Sequence, residues 1–388
     1  MSHPETDVLH IGEGAQHDAR PLTRPIYATS TFEFASAAEL EAFQKGESSR
    51  YIYSRYANPS VQSAELKLAV LEGAEAALVT SSGMAATSMA LFGLLSAGDE
   101  LLCSSSVYGG TVQVVTKSLA RFGVTARFVP MEQLTAIESL AGPKTKALWF
   151  ESPINPTLRC VDIAAVASAC RARSVLSIID STFASPANQQ PIRLGIDLVM
   201  HSATKYLNGH TDVIAGALVG SRMLIERLQS ARKLFGGVLE PASAYALARG
   251  MKTLGIRVAR QNENAMRVAQ WCEGDSRVAR VFYPGLASHP DHDVARRQMS
   301  GFGGMVTIDV HGGYEAACRA FDRLQLIRRA ASLGGVETLC SLPVLTSQFG
   351  VSDDLLAAMG VTRGMMRFSI GLEHPDDLIA DLDQALGR

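Results

Sequence analysis

Lys205 is the residue of this sequence whose surroundings most readily suggest chemistry. It follows Ser202 and Thr204 at the end of an apolar run, in the segment VMHSATKYLNGHTDVIAGALVG (199–220). A lysine amine becomes nucleophilic when its ammonium form is partly desolvated or lies beside other cations, because both conditions lower its pKa. Since most lysines are solvated, this residue indicates a site only together with its neighbours.

Asp180 ends the apolar run VLSIID, which precedes the lysine segment. A carboxylate at this point can keep a pyridinium nitrogen protonated, and that arrangement lets pyridoxal phosphate act as an electron sink. Alone, an aspartate here would more often cap a helix or close a turn. The combination of Asp180 with Lys205 favours the cofactor.

A phosphate site is suggested by SSGMAA (81–86), where a strand gives way to a helix. Free backbone N–H groups and the helix dipole suit a phosphate there, although an ordinary capping turn has the same composition. Ser202 and Thr204 could add hydroxyl donors. Tyr108, in VYGGT, could stack on a planar cofactor, since two glycines follow it. The sequence contains no P-loop and no G-x-G-x-x-G after a strand, which argues against a nucleotide.

The elements that must position these residues alternate between residues 70 and 220. Apolar runs such as AALVT, ELLCS and KALWFE are separated by helical patterns, among them TVQVVTKSLARFG (111–123), as in a parallel sheet covered on both faces. Polar residues beyond the ends of such strands meet in one crevice. Here they are Ser81, Ser82, Gly83, Tyr108, Glu151, Asn155, Asp180, Thr182, Ser202, Thr204 and Lys205.

The rest of the chain divides into two further parts. A long charged helical pattern at 246–271 leads to an α+β carboxy-terminal domain, with strands in GGMVTIDV and MMRFSIGLE. The first 60 or so residues contain no convincing buried element and are expected to pack outward on a partner subunit. We therefore predict an amino-terminal segment at 1–60, a cofactor-binding α/β domain at 61–250 and a carboxy-terminal domain at 251–388.

Composition excludes several classes of protein. With 36 basic and 38 acidic residues the formal charge is −2, and no block of either sign indicates nucleic acid or an anionic membrane as partner. No secretory signal or charge-free membrane span is evident, so a cytoplasmic protein is expected. The six cysteines form no C-x-x-C pair, which argues against a zinc site, and no metal is predicted.

Nearly the whole chain resembles the Cys/Met-metabolism family of pyridoxal phosphate enzymes, which includes cystathionine γ-synthases, cystathionine γ-lyases, methionine γ-lyases and sulfhydrylases. The motifs that carry the resemblance occur in the family's order: PIYATSTF, YSRYANPS, SSGMAA, VYGGT, ESPINPT, HSATKYLNGHTDVIAG, YPGLASHP, SLGGVETL and MRFSIGLE. It implies fold type I, with a large, mostly parallel seven-stranded sheet domain and a smaller α+β domain.

The resemblance also implies roles for individual residues. Lys205 would form the Schiff base with pyridoxal phosphate and shuttle protons, Asp180 would pair with the ring nitrogen, and Tyr108 would stack on the ring and assist the leaving group. The remaining cofactor contacts would be Tyr53 and Arg55 from a neighbouring subunit, with Ser82, Gly83, Met84, Asn155, Thr182, Ser202 and Thr204. Substrate contacts would be Ser332, Glu337 and Arg367, the last binding the α-carboxylate. Shared sites imply a homodimer at least, and usually a dimer of dimers.

The choice among family activities stays open from the sequence. Ile52 is apolar where cystathionine-handling members tend to be acidic, which favours a shorter substrate such as methionine. Gly110, where methionine γ-lyases often have cysteine, and Glu337 point instead to the cystathionine enzymes. Ser181, Ser347 and Gln348 also depart from common family residues. We expect γ-elimination on a sulfur amino acid, with γ-replacement on an activated homoserine as the alternative.

Two other functions are less well supported by the sequence than γ-elimination or γ-replacement. A protein that binds the cofactor without turnover, as a scaffold or sensor, is disfavoured because Lys205, Asp180, Tyr108 and Arg367 are all present. A Schiff-base aldolase that works without cofactor would show no visible absorbance from a bound pyridoxal.

Overall fold

The computed structural model describes residues 3–13 and 20–387, and these residues contain a seven-stranded sheet and a five-stranded sheet. The strands are β1 Ala76–Thr80, β2 Glu100–Ser104, β3 Thr125–Val129, β4 Thr145–Glu151, β5 Leu176–Asp180, β6 Leu198–His201, β7 Gly216–Gly220, β8 Val278–Phe282, β9 Met305–Val310, β10 Arg328–Arg329, β11 Leu339–Ser341 and β12 Met365–Ser369.

Helices surround both sheets. They are α1 Pro4–His10, α2 Ala37–Gln44, α3 Pro59–Glu72, α4 Gly83–Leu94, α5 Gly109–Gln113, α6 Ile137–Leu140, α7 Ile163–Ala172, α8 Ser185–Asn188, α9 Arg222–Phe235, α10 Pro241–Met251, α11 Leu254–Glu273, α12 His292–Gln298, α13 Gly313–Arg323, α14 Asp353–Ala358 and α15 Pro375–Leu386. Within the described ranges, no helix has both the length and the apolar composition needed to cross a membrane.

The large sheet has the strand order β1-β7-β6-β5-β4-β2-β3. Its strands run parallel except β7, which is antiparallel to both β1 and β6. The central strands are buried along nearly their whole length, because helices cover both faces. The predicted mostly parallel seven-stranded sheet is confirmed. The edge strand β3, whose sequence TARFV is largely exposed, was not recognised as a strand.

Two predicted helices are less regular than their patterns suggested. The segment predicted as a helix at 111–123 forms α5, then a π-helical turn and a 3₁₀ turn that ends at Gly123 with φ of +75°. The long pattern at 246–271 is broken into α10 and α11. The buried guanidinium of Arg257 in α11 spans this break and donates to the carbonyls of Gly250 and Tyr206 at 2.8 and 3.0 Å.

Arg257 thereby ties the lysine segment to the helix that leads into the second domain. Burial lowers the pKa of this guanidinium to about 10, and it contacts only neutral oxygens in its hydrogen bonds. The backbone around Tyr206 is therefore held by a cation whose own charge is poorly solvated.

The smaller sheet has the order β10-β11-β12-β9-β8 and is antiparallel apart from β10 beside β11. Val306, Ile308 and Phe368 from its central strands are fully buried against α11, α13 and α15. This agrees with the predicted α+β character of the carboxy-terminal part, while the boundaries at 60 and 250 stay predictions.

The amino-terminal segment makes contacts within its own chain. The buried Lys67 of α3 donates to the carbonyls of Val8 and Ile11 at 2.9 and 2.7 Å and forms an ion pair with Glu13 at 3.0 Å. Helix α2, by contrast, has no buried residue. The first described residues are thus anchored on α3, and packing of the following segment on a partner stays a prediction.

Candidate active site

A cavity of about 620 Å³ lies beyond the carboxyl ends of β4, β5 and β6, where β12 and the loops before it approach the large sheet. This is the crevice expected for a parallel sheet. The structure brings the following predicted residues to its wall: Ser82, Gly83, Met84, Tyr108, Glu151, Asn155, Asp180, Thr182, Ser202, Thr204, Lys205, Ser332 and Arg367.

Lys205 lies in the turn after β6, with its Nζ 2.7 Å from the hydroxyl oxygen of Ser332. Burial lowers the pKa of the lysine, and the positive charge of Arg367 lowers it further. Both effects favour the neutral amine, which is the nucleophilic form. Ser332 has φ of +112°, in the range that favours glycine, so this loop holds about 1 to 3 kcal/mol of backbone strain at the lysine.

Asp180 lies at the end of β5, and its Oδ1 accepts a hydrogen bond from the Thr182 amide at 2.9 Å. Burial raises the pKa of Asp180, while the Thr182 hydrogen bonds and the nearby His201 oppose that rise. Thr182 in turn accepts from the Ser202 amide at 2.8 Å. The carboxylate, the hydroxyl and the lysine turn are therefore held in one hydrogen-bonded arrangement at neighbouring strand ends.

The amino terminus of α4 faces the same cavity. Ser82 caps the helix by accepting from the Ala85 amide at 3.1 Å, and the first helical hydrogen bond is donated by Ala86. The amides of Gly83 and Met84 precede that bond and are available to an anion. A Cβ at Gly83 would lie only 3.0 Å from the Cβ and Oγ of Ser202, so a side chain would fill the cradle.

Thr204 is more constrained than the sequence suggested. Its hydroxyl donates to the Ala215 carbonyl at 3.1 Å and accepts from the Ala215 amide at 3.0 Å. Thr204 lines the cavity, but its hydroxyl proton is already donated to the Ala215 carbonyl. Ser202 is therefore the stronger hydroxyl candidate for a phosphate, together with the amides of α4.

Arg367 of β12 is 7% exposed and reaches the cavity from the smaller sheet. It donates to the side-chain oxygen of Asn155 at 2.8 Å and to the Ser332 carbonyl at 3.4 Å. Its Nε is buried without a hydrogen-bond partner, and no ion pair joins it to a carboxylate among the residues described. Burial lowers its pKa. A buried guanidinium of this kind suits the carboxylate of a ligand.

Tyr108 projects a half-exposed ring over the cavity, and its position depends on Gly110. A Cβ added at Gly110 would lie 2.5 Å from Cε1 of Tyr108 and 2.8 Å from the Met84 sulfur. The ring thus occupies the space that any side chain at 110 would need.

Gly110→Cys is therefore expected to push the Tyr108 ring away from its stacking position and to raise the Kd of the cofactor about tenfold. Fluorescence titration of the apoprotein with pyridoxal phosphate measures this. The matched control is Gly109→Ala, whose new Cβ would meet only the Ser347 carbonyl oxygen, at 3.7 Å. Equal cofactor affinities of the two variants would contradict the steric explanation.

Four predicted residues do not line this cavity: Ser81, Tyr53, Arg55 and Glu337. Arg55 lies over the rings of Tyr53 and Tyr56, with centroid distances of 5.6 and 4.9 Å, and donates to the Lys233 carbonyl at 2.6 Å. Glu337 is exposed and accepts from the Thr211 hydroxyl at 3.3 Å. The cofactor role of Tyr53 and Arg55 across a subunit boundary, and the substrate role of Glu337, stay predictions.

The three residues that differ from the common family residues, Ser181, Ser347 and Gln348, differ in whether they line the cavity. Ser347 lines the cavity and its hydroxyl is buried without a partner. Ser181 is fully buried outside it, where its hydroxyl accepts from the Gln189 amide at 3.2 Å, and Gln348 is also buried outside it. Of these three residues, Ser347 is the one placed to contact a ligand.

Sequence reasoning missed the apolar part of the wall. It is formed by Pro153, Phe183, Met200, Ile214, Ala331 and Leu333, with Thr346 at the rim. Phe183 and Met200 could have been found, since they lie at the same strand ends as Asp180 and Ser202. Ile214 and Ala331 lie in loops whose sequences carry no such signal.

These donors fit one kind of cofactor. A partly buried lysine suits an aldehyde, helix amides and Ser202 suit a phosphate, Asp180 suits a ring nitrogen and Tyr108 suits a planar ring. No group of three or more His, Cys, Asp or Glu side chains in the described ranges is arranged to hold a metal ion. The class of protein that the fold and cavity define is an α/β enzyme that uses pyridoxal phosphate.

Comparison with known proteins agrees with this class. The model of the family described as Cys/Met metabolism PLP-dependent enzyme matches residues 5–387. The chain is 41% identical to an L-methionine γ-lyase of Pseudomonas putida, covering 98% of this chain and 96% of that protein. It is 40% identical to cystathionine γ-synthase 1, chloroplastic, of Arabidopsis thaliana, covering 97% of this chain and 67% of that protein.

A solved structure shows the same fold. The crystal structure of metB from Corynebacterium glutamicum superposes with a TM-score of 0.93 at 36% identity, covering 100% of this chain and 98% of that one. The chain belongs to the Cys/Met-metabolism family of PLP-dependent enzymes. Its cofactor is pyridoxal phosphate, and the predicted fold type I is confirmed.

Proposed function

We propose that this enzyme catalyses γ-elimination on a sulfur amino acid, of the methionine γ-lyase or cystathionine γ-lyase type, and releases 2-oxobutyrate, ammonia and a thiol. One observation carries the proposal. Ser332 contacts Lys205 through its hydroxyl at 2.7 Å and Arg367 through its carbonyl at 3.4 Å. A substrate whose carboxylate binds Arg367 would therefore present its α-carbon to the lysine amine.

The side chains would divide the work as follows. Arg367 would bind and orient the carboxylate. Lys205, once displaced from the cofactor by the substrate amine, would move protons at the α- and β-carbons. Tyr108 would lie beside the leaving sulfur, and the apolar wall with Phe183 and Leu333 would exclude water. When bound, pyridoxal phosphate supplies the electron sink for these proton losses.

Elimination is favoured by the character of the residues near the distal end of the substrate. Ile52 does not line the cavity of its own chain and, like Tyr53, would have to reach the site of a second copy. Its apolar side chain offers no charge for the second amino group of cystathionine, and the cavity wall is largely apolar. An unpaired ammonium would be costly there. The sequence is similar to methionine γ-lyases at 38–41% identity and to cystathionine γ-synthases at 38–40%, so these identities do not distinguish the two reactions.

γ-Replacement on an activated homoserine is the second candidate. Gly110 and Glu337 point to the cystathionine enzymes, which include γ-synthases as well as γ-lyases. The chain is also 39% identical to an O-succinylhomoserine sulfhydrylase of Pseudomonas aeruginosa, with 93% of this chain covered. In that case a thiol would enter where the γ-substituent leaves.

We also propose that the active unit is a homo-oligomer, a dimer at least and a dimer of dimers in the complete assembly. Tyr53 and Arg55 support a dimer at least, because both lie outside the cavity of their own chain and both are exposed, Tyr53 at 40%. As cofactor ligands they would have to reach the site of a second copy. The dimer of dimers is what the family resemblance implies.

Product analysis tests the proposed reaction. Holoenzyme is incubated separately with methionine, cystathionine and an O-acylhomoserine, with and without added thiol, and 2-oxobutyrate and thioethers are quantified by mass spectrometry. Formation of 2-oxobutyrate from methionine or cystathionine without thiol is expected. A thioether that forms only from O-acylhomoserine plus thiol would overturn elimination and establish replacement. The Lys205→Ala protein serves as the blank.

A further inference from the structure

Glu151 is a buried acid in the cavity that the proposed reaction does not use. It ends β4 beside Asp180, which ends β5, and the two residues are in register on neighbouring parallel strands. Both line the cavity. In-register residues of adjacent strands project to the same face of the sheet at about 5 Å, so the two carboxyl groups lie side by side.

The two acids are stabilised unequally. Glu151 is 7% exposed, and its Oε1 accepts one hydrogen bond, from the Tyr108 amide at 2.6 Å. Asp180 accepts a hydrogen bond from the Thr182 amide, and its interaction with His201 also lowers its pKa. Two like charges at this distance repel, so the pair favours one proton, and the less solvated member should hold it.

Lys205 and Arg367 line the same cavity as Glu151, but neither forms an ion pair with it or lowers its pKa. Across the sheet it faces Asp180 on β5, and Cys103 on β2 is near enough for its thiol pKa to be raised by burial and by Glu151. Helix α4, whose apolar residues share a core cluster with Trp149 of β4 and Ile178 of β5, carries no charged residue. No ion pair reaches Glu151 among the residues described. Burial and then the charge of Asp180 raise the pKa of Glu151 well above its usual value, and the Tyr108 amide offsets this only in part.

We propose that Glu151 is held as a neutral carboxylic acid that anchors Tyr108 over the cofactor ring and leaves the negative charge of the carboxyl pair on Asp180, facing the ring nitrogen. The proposal rests on the cofactor placement argued above, but the protonation of Glu151 is a property of the apoprotein. Glu151 is thus a positioning residue, and it acts through the Tyr108 backbone and through Asp180.

The Glu151→Gln variant distinguishes whether Glu151 is neutral or ionised in the wild-type protein. Its side-chain amide keeps a carbonyl oxygen that accepts from the Tyr108 amide, and it carries no charge. A glutamate whose pKa is raised on folding contributes stability that is full below its unfolded pKa and is lost as pH rises toward the folded pKa. The variant lacks this loss. The Tm of the Glu151→Gln apoprotein relative to wild type is therefore expected to increase between about pH 5 and pH 8.

A Tm difference that does not change over this pH range would overturn the proposal. Glu226→Gln, at an exposed position of α9, controls for the amide substitution itself. Should Glu151→Gln fail to fold, carbon-13 NMR of labelled glutamates in the unmutated apoprotein answers the same question. The proposal is supported if one glutamate carboxyl is still protonated near neutral pH and its signal is missing from the spectrum of Glu151→Ala. It is overturned if all glutamate carboxyls are ionised at that pH.

The anchoring of Tyr108 has a second readout. Glu151→Ala leaves the Tyr108 amide without its acceptor and should speed release of pyridoxal phosphate during dialysis about tenfold, whereas Glu151→Gln should release it at the wild-type rate. Equal release rates from the two variants would contradict the anchor. Because neither measurement involves substrate turnover, failure here is distinguishable from failure of the proposed γ-elimination.

Discussion

Lys205→Ala is expected to lower turnover at least about 10³-fold, since it removes both the covalent anchor of the cofactor and the base that moves substrate protons. Lys205→Arg should fail equally, because a guanidinium stays charged and cannot form the Schiff base. Turnover is followed as 2-oxobutyrate release with saturating pyridoxal phosphate, so that weaker cofactor binding does not account for the loss.

Lys117→Ala is the matched control for Lys205, since Lys117 is exposed in the irregular helical segment after α5. It should retain wild-type turnover. A Lys205→Ala protein with turnover within about tenfold of wild type would mean that another group performs the proton transfers.

Arg367→Met is expected to raise KM for the amino acid roughly 100-fold. The guanidinium is buried and faces no carboxylate among the described residues, so its bond to a substrate carboxylate should be a strong charge-assisted one. Arg367→Lys should recover only part of the loss, because an ammonium cannot pair bidentately. The visible cofactor band should change little in either variant.

Arg363→Met controls for loss of a positive charge near β12. Arg363 is exposed and pairs with Asp353 at 2.7 Å, so its removal should change KM less than about twofold. If Arg367→Met instead lowered kcat with KM unchanged, Arg367 would contribute to the chemical step and the assignment as carboxylate anchor would be wrong.

The large sheet and much of the cavity could be predicted from the sequence for one physical reason. Polar residues that follow buried parallel strands, such as Asp180 and Lys205, have to meet at one edge of the sheet. The phosphate site at the Ser-Ser-Gly turn before α4 could likewise be predicted, because strand-to-helix turns expose backbone amides. Ten of the eleven residues predicted from strand ends therefore lie on one cavity wall, and Ser81 is the exception.

Other features depend on contacts that sequence patterns do not encode. The hydroxyl of Thr204 is taken by the Ala215 backbone, and Asn155 is paired with Arg367, which comes from a distant strand. Strand β3 lies at a sheet edge and is mostly exposed, so it lacks the apolar run of its neighbours. The proximity of Glu151 to Asp180 required knowledge of strand order and register.

Borohydride reduction of the holoenzyme, followed by peptide mass spectrometry, tests the placement of the cofactor most directly. Reduction fixes the Schiff base as a stable pyridoxyl adduct on the lysine that carries it. The adduct is expected on Lys205, in the peptide that contains the turn after β6. An adduct confined to any other lysine would contradict the assignment of this cavity as the active site.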